Sequence, residues 1–194
     1  MVSYSEREWW IDYAKTIGIF LVVFIHLITV NFSNVNFGAN KLNFILLGTV
    51  FHMPLFFFIS GYLYKYITPK IALKKYLKRL IVPYLFFSFL GMIVFIQYKG
   101  LYTNPETLLS TIGTLLFGVL VADPTVTSPN GPLWFLLSLF IVIVLFSIFK
   151  TYFNNDKQLL IIIIGLNALL YVLHTLKINL YFSIDSALLG ITFF

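Results

Sequence analysis

Long apolar runs separated by short polar or basic connectors set the pattern of this chain. A bilayer offers the backbone no water, so each crossing segment must satisfy its own hydrogen bonds as a helix of about 17–25 residues. Five stretches meet that length, at roughly 16–32, 43–64, 80–98, 132–149 and 158–175. A sixth begins near Tyr181 and is cut off at Phe194, so the chain is expected to stop inside a helix. The stretch 108–122 is shorter and carries Gly113 and Gly118; it reads as a re-entrant or interfacial helix, with a tilted span as the alternative. The expected fold class is all-α: a polytopic transmembrane helix bundle of about five complete spans, one re-entrant or short helix and one truncated span. Residues 1–194 are expected to form a single integral membrane domain, incomplete at its C-terminus.

Composition removes the soluble alternative. The chain is 60% hydrophobic and only 10% charged, where soluble domains carry about 25% charged residues. The net charge of +6 is clustered rather than spread. Lys65, Lys70, Lys74, Lys75, Lys78 and Arg79 fall within one connector that holds no acidic residue, which places that connector in the cytoplasm by the positive-inside rule. The N-terminus is then cytoplasmic too, loop 31–43 lies outside, and the protein is expected as a multi-pass component of the plasma membrane. If 108–122 does not cross, Lys150 and Lys157 also land inside, which suits the same rule. The basic excess is thereby used by topology, and nucleic acid is excluded as a partner.

A cleaved signal peptide does not fit the N-terminus. The leader holds Glu6, Glu8 and Asp12, the apolar run contains a histidine, and no small-x-small cleavage pattern follows. With no cysteine, disulfides, thiol nucleophiles and Cys-ligated metals are absent together. The three histidines fall on different segments without ligand spacing, so no metal site is expected.

Ionisable and polar groups inside membrane segments are costly, which makes His26, His52 and Ser60 the candidates for chemistry, with Asp12 and Lys15 at the lip of the first span. At about 100° per residue, Lys15 and His26 differ by about 20° around a helix, and Asp12 and His26 by about 40°. Along the axis, Lys15 and His26 stand roughly 16 Å apart, so they would grip different parts of one long ligand. Asp12, three residues before Lys15, can pair with it. Pro54 opens the second span near His52, so His52 fits either a polar pocket or the outer interface. The Ser60-Gly61 pair fits either helix packing or close approach of a ligand. In SPNGPLWFL the Asn-Gly-Pro turn presents Trp134 at the start of a span, either beside a cavity or as one more interfacial aromatic.

Four blocks, REWWIDYAKTIGIFLVVFIH, FHMPLFFFISGYLY, KRLIVPY and GPLWFLLSLF, stand in the order and at the spacings of a known family. The chain resembles the N-terminal half of the membrane-bound acyltransferase 3 family, in its fucose 4-O-acetylase-like branch of exopolysaccharide O-acetyltransferases. The resemblance implies transfer of an acetyl or other acyl group from acyl-coenzyme A to a hydroxyl of a sugar or cell-surface polysaccharide. By position, His26 matches the family's key histidine, a general base or transient acyl acceptor, and Lys15 matches the basic residue before it. Asp12 and Arg7 belong to the same block, with Arg7 and Trp134 assigned to the substrate. Ser60 matches the Ser-Gly pair of the second span, and His52 a histidine common in this branch.

Lys75, Lys78 and Arg79 match the segment expected to hold the phosphates of acetyl-CoA. Many relatives place two arginines there, three apart; this chain has Tyr76 where the first falls. Lysines hold phosphate as point charges, so the role survives with less geometric specificity. No cofactor is expected to be permanently bound, acyl-CoA being a substrate. The expected partners are the lipid bilayer, acyl-CoA and a sugar or glycan acceptor, with homo-oligomer formation left open. A different class remains in play, a proton-coupled transporter in which His26 and His52 relay protons, as does a catalytically inactive fragment of the acyltransferase fold.

Overall fold

The computed structural model describes residues 8–31, 53–100, 104–121, 131–153, 155–178, 180 and 183–194. Its regular elements among the described residues are all helical: α1 (Trp9–Asn31), α2 (Met53–Tyr62), α3 (Pro69–Tyr76), α4 (Val82–Tyr98), α5 (Pro105–Val121), α6 (Trp134–Tyr152), α7 (Asp156–Thr175) and α8 (Ile184–Gly190). A π-helical turn, Leu77–Ile81, joins α3 to α4, and 3₁₀ turns precede α6 and follow α8. Four helices are long and apolar enough to cross a membrane: α1, the unbroken Pro69–Tyr98 helix, α6 and α7. These correspond to four of the five expected spans. The other, 43–64, lies partly outside the described residues, its described part being α2.

The basic connector differs from expectation, because from Pro69 onward it is helix rather than loop. Proline is well placed in a first helical turn, and lysine and leucine are good helix formers, so this stretch extends the span backward into a 30-residue helix. The π turn has a local cause in Pro83. That residue has no N–H to donate and its ring crowds the carbonyl one turn before it. The Val82 N–H reaches back five residues to the Leu77 carbonyl, which widens the turn just ahead of the proline.

The described residues pack as two compact units. In the first, α1 and α2 run antiparallel: Trp10 meets Tyr62 edge to face at 5.1 Å, and Gly18 lies against Phe56 and Leu55. A Cβ on Gly18 would come within 2.9 Å of the Phe56 ring, so the glycine sets how closely the two helices approach. Gly61 is tighter still, since a Cβ there would lie 2.6 Å from the Cα of Phe194.

In the second unit, Lys65–Thr192, α6 is the central helix and packs against α3, the π turn, α4 and α8. Its buried positions Ser138, Val142, Ile143, Phe146 and Ser147 recur at helical spacing and form one stripe. Ala72 is fully buried on α3. Tyr66 and Thr151 hydroxyls bond at 3.1 Å at one end of α6, while Tyr84 packs against Leu133, Leu136 and Leu137 at the other. The α3–α4 helix therefore runs antiparallel to α6. Asn167, in mid-α7, bonds the Thr192 hydroxyl at 3.0 Å, and Lys150 pairs with Asp156 at 2.7 Å across the α6–α7 connection.

Ser138 is buried and its hydroxyl has no hydrogen-bond partner. Removing a buried hydroxyl that already lacks a partner sacrifices no bond. Ser138→Ala is therefore expected to leave stability unchanged or raise it by up to about 1 kcal/mol, read as the midpoint of thermal unfolding in detergent. A large loss would show that the hydroxyl is bonded in the membrane.

Candidate functional site

On α1, Ile11, Gly18 and Ile25 are buried at a spacing of seven, and Asp12, Lys15 and His26 are half-buried on one shoulder of that stripe. The opposite side is largely apolar, exposing Ile17, Phe20, Val23, Phe24 and Leu27, with Tyr13 and Thr16 toward its N-terminal end. In a membrane helix this inverts the soluble pattern: the oily side meets lipid and the polar residues turn to the protein. The expected shared face of Asp12, Lys15 and His26 is thus formed by one continuous helix. The main-chain carbonyl of Asp12 accepts from Thr16 Oγ1 at 2.8 Å.

The antiparallel register fixes levels within the first unit. Ser60 lies four residues past Phe56, toward the Trp10–Tyr62 contact, whereas His26 lies eight residues past Gly18 in the other direction. At 1.5 Å per residue their levels differ by about 18 Å, so Ser60 belongs with Asp12 and Lys15 and not beside His26. His52 and Arg7 lie outside the described residues. A cluster that sequence reasoning missed closes this end: Glu8 Oε2 accepts from Trp10 Nε1 and from the Tyr62 hydroxyl, both at 3.0 Å. In the sequence Trp10 and Tyr62 are aromatics near span ends like many others, and nothing local joins Glu8 to Tyr62, 54 residues apart.

In the second unit, Lys70, Ile71, Lys74, Lys75, Lys78 and Arg79 line a groove of about 500 Å³. All six side chains are exposed, and the fully buried Ala72 turns away from them. The three cations named from sequence are brought together here, with Lys70 and Lys74 added one and two turns earlier. The departure at Tyr76 acquires a role, because the Lys75 ammonium sits 5.3 Å from the centre of its ring. Such a contact is worth about 0.5–1 kcal/mol at an exposed site and restrains the lysine. Trp134, the half-buried first residue of α6, lies at the level of Tyr84, about five residues or 7 Å along the axis beyond Arg79.

A family model described as an acyltransferase domain, acyltransferase 3, matches residues 8–194. The chain belongs to the acyltransferase 3 family. No curated protein and no solved structure matches it. The protein is accordingly a helical membrane acyltransferase.

Proposed function

We propose that this membrane acyltransferase moves an acetyl or other acyl group from acyl-coenzyme A to a hydroxyl of a sugar or cell-surface polysaccharide, as in the fucose 4-O-acetylase-like branch. The observation that carries the reading is the set of five exposed cations, flanking one groove, at the head of a membrane-length helix. A phosphate-bearing thioester is the acyl donor that such a groove would retain. His26 takes the proton of the acceptor hydroxyl, the oxygen attacks the thioester carbonyl, and the C–S bond breaks. The departing thiolate then recovers the proton from the imidazolium. An imidazole titrates near neutral pH and so can hold the proton and return it.

Lys15, about 16 Å from His26 along α1, meets a different part of the long donor, and Asp12 and Ser60 lie at the same end as Lys15. Trp134 and Arg7 are assigned to the acceptor. His52 serves with His26 in this reading.

The orientation proposed is a cytoplasmic N-terminus and a cytoplasmic α3 in the plasma membrane. The opposed directions of the α3–α4 helix and α6 support it, because α5 between them then makes no net crossing and Lys150 and Lys157 fall on the same side as the cations of α3. Cysteines placed singly at Thr68 and Lys99, in a chain that has none, are expected to react with an impermeant maleimide on opposite faces, Lys99→Cys from outside intact cells. Labelling of both from one side overturns this topology.

The function itself is tested by turnover. The chain is reconstituted in nanodiscs with radiolabelled acetyl-CoA, and label is followed into glycan acceptors or into acetate. Transfer or hydrolysis that needs His26 is the expected result. Retention of donor binding with no dependence on His26 would remove the base assignment.

A further inference from the structure

The two helices of the first unit are joined by a polar clasp that the chemistry above does not use. Glu8 stands at the start of α1, where its carbonyl accepts the Ile11 N–H at 3.0 Å. Its carboxylate is therefore carried on the first turn of the helix, where the helix dipole favours a negative charge. One oxygen, Oε2, accepts from the Trp10 indole and from the Tyr62 hydroxyl, both at 3.0 Å, and the two rings meet edge to face at 5.1 Å. Bonds to an ionised acceptor are roughly twice as strong as neutral ones.

Helix phase shows what the clasp controls. The contact of Gly18 with Phe56 marks the line along which α1 and α2 face each other. Measured from it at about 100° per residue, Trp10 stands about 80° to one side on α1 and Lys15 about 60° to the other. On α2, Tyr62 stands about 120° to the side it shares with Trp10, and Ser60 about 40° to the opposite side, which is that of Lys15. Lys15 lies three residues from Gly18 and Ser60 four residues from Phe56 in the same axial direction, so their levels agree within about 2 Å. Both are half-buried. The clasp thus closes one flank of the helix pair, and Lys15 and Ser60 share the other. A roll of α2 about its own axis is the motion that separates them, and the Glu8–Tyr62 bond opposes that roll.

Resting on the donor reading above, we propose that Glu8 is a positioning residue of this acyltransferase: by holding Tyr62 and Trp10 at one oxygen it fixes the roll of α2 on α1 and keeps Ser60 beside Lys15, where the donor is met. Glu8 itself touches neither donor nor acceptor. Its effect passes through Tyr62 and the last turn of α2, on which Ser60 stands two residues earlier.

The test follows consumption of radiolabelled acetyl-CoA by the full chain in nanodiscs. Glu8→Ala is expected to raise KM for acetyl-CoA about fivefold with kcat little changed, a modest factor because the clasp is exposed to water. Tyr62→Phe, which keeps the ring but not the hydroxyl, should do the same. The two together should cost no more than either alone, since each removes the same bond. Glu8→Gln, whose amide oxygen can accept both donors, should stay within about twofold of the wild type. These last two conservative changes keep the test valid even where Glu8→Ala fails to insert.

A fall in kcat at constant KM overturns the proposal, because it marks a loss of folded protein and not a displaced site. Unchanged KM in both Glu8→Ala and Tyr62→Phe overturns it too, as do additive losses in the double variant. A wild type that consumes no acetyl-CoA would remove the donor reading itself, and is told apart from these by the absence of any rate to compare.

Discussion

Replacing His26 with alanine is expected to abolish acyl transfer while leaving the protein inserted and folded. General base catalysis typically contributes about 10²–10⁴-fold, so activity should fall by at least that lower factor. The geometry favours a clean experiment. His26 sits on the shoulder of the buried stripe formed by Ile11, Gly18 and Ile25, not in its centre, so its truncation leaves the α1 packing contacts standing. His26→Gln offers a second readout, because it keeps a polar side chain of similar reach but cannot shuttle a proton. Both variants should bind coenzyme A as the wild type does. A His26→Ala protein that retains full turnover would transfer the role of base to another residue.

The second large effect concerns the donor. Simultaneous replacement of Lys75, Lys78 and Arg79 by glutamine is expected to raise KM for acyl-CoA by about a hundredfold, with a smaller change in kcat. All three side chains are exposed, so water screens each contact and their contributions sum to less than three buried ion pairs would give. The same substitutions remove topogenic charge, so the maleimide pattern at Thr68 and Lys99 must be checked alongside. Correct insertion with unchanged KM would show that these cations serve topology alone. A fall in kcat at constant KM would place them at the reacting carbonyl instead.

Periodicity carried most of the helical layout. The long apolar runs gave α1, α4, α6 and α7 because in a membrane the length of a run is itself the structural signal. The shared face of Asp12, Lys15 and His26 followed from arithmetic on one helix, which needs no tertiary information. What was missed required contacts between segments or a change of state within one. Glu8 binds Tyr62 across 54 residues of sequence, and no local pattern announces it. Lys70 and Lys74 were passed over for another reason. Six basic residues read as a connector, although Pro69 at a first helical turn and cations every four residues also spell a helix with one charged face. Density of charge concealed its period.

The widened turn ahead of Pro83 also has a meaning in angular phase. In an uninterrupted α-helix, Ala72 would stand about 120° from Tyr84 and about 160° from Ser88, so residues that are all buried would point in different directions. A π turn acts as one inserted residue and takes back about 100°. Ala72, Tyr84 and Ser88 then fall within about 60° of one another, with Ala72 and Tyr84 both on the side of the helix that packs against α6. The five cations, riding on the same rigid rod, are thereby set at a fixed azimuth to the buried side of α4. The same residues wound as an uninterrupted α-helix would keep every charge and every apolar residue, yet would swing the cationic comb about 100° around the axis. In this helix the register of a single turn, and not the identity of the lysines, decides which way these cations face.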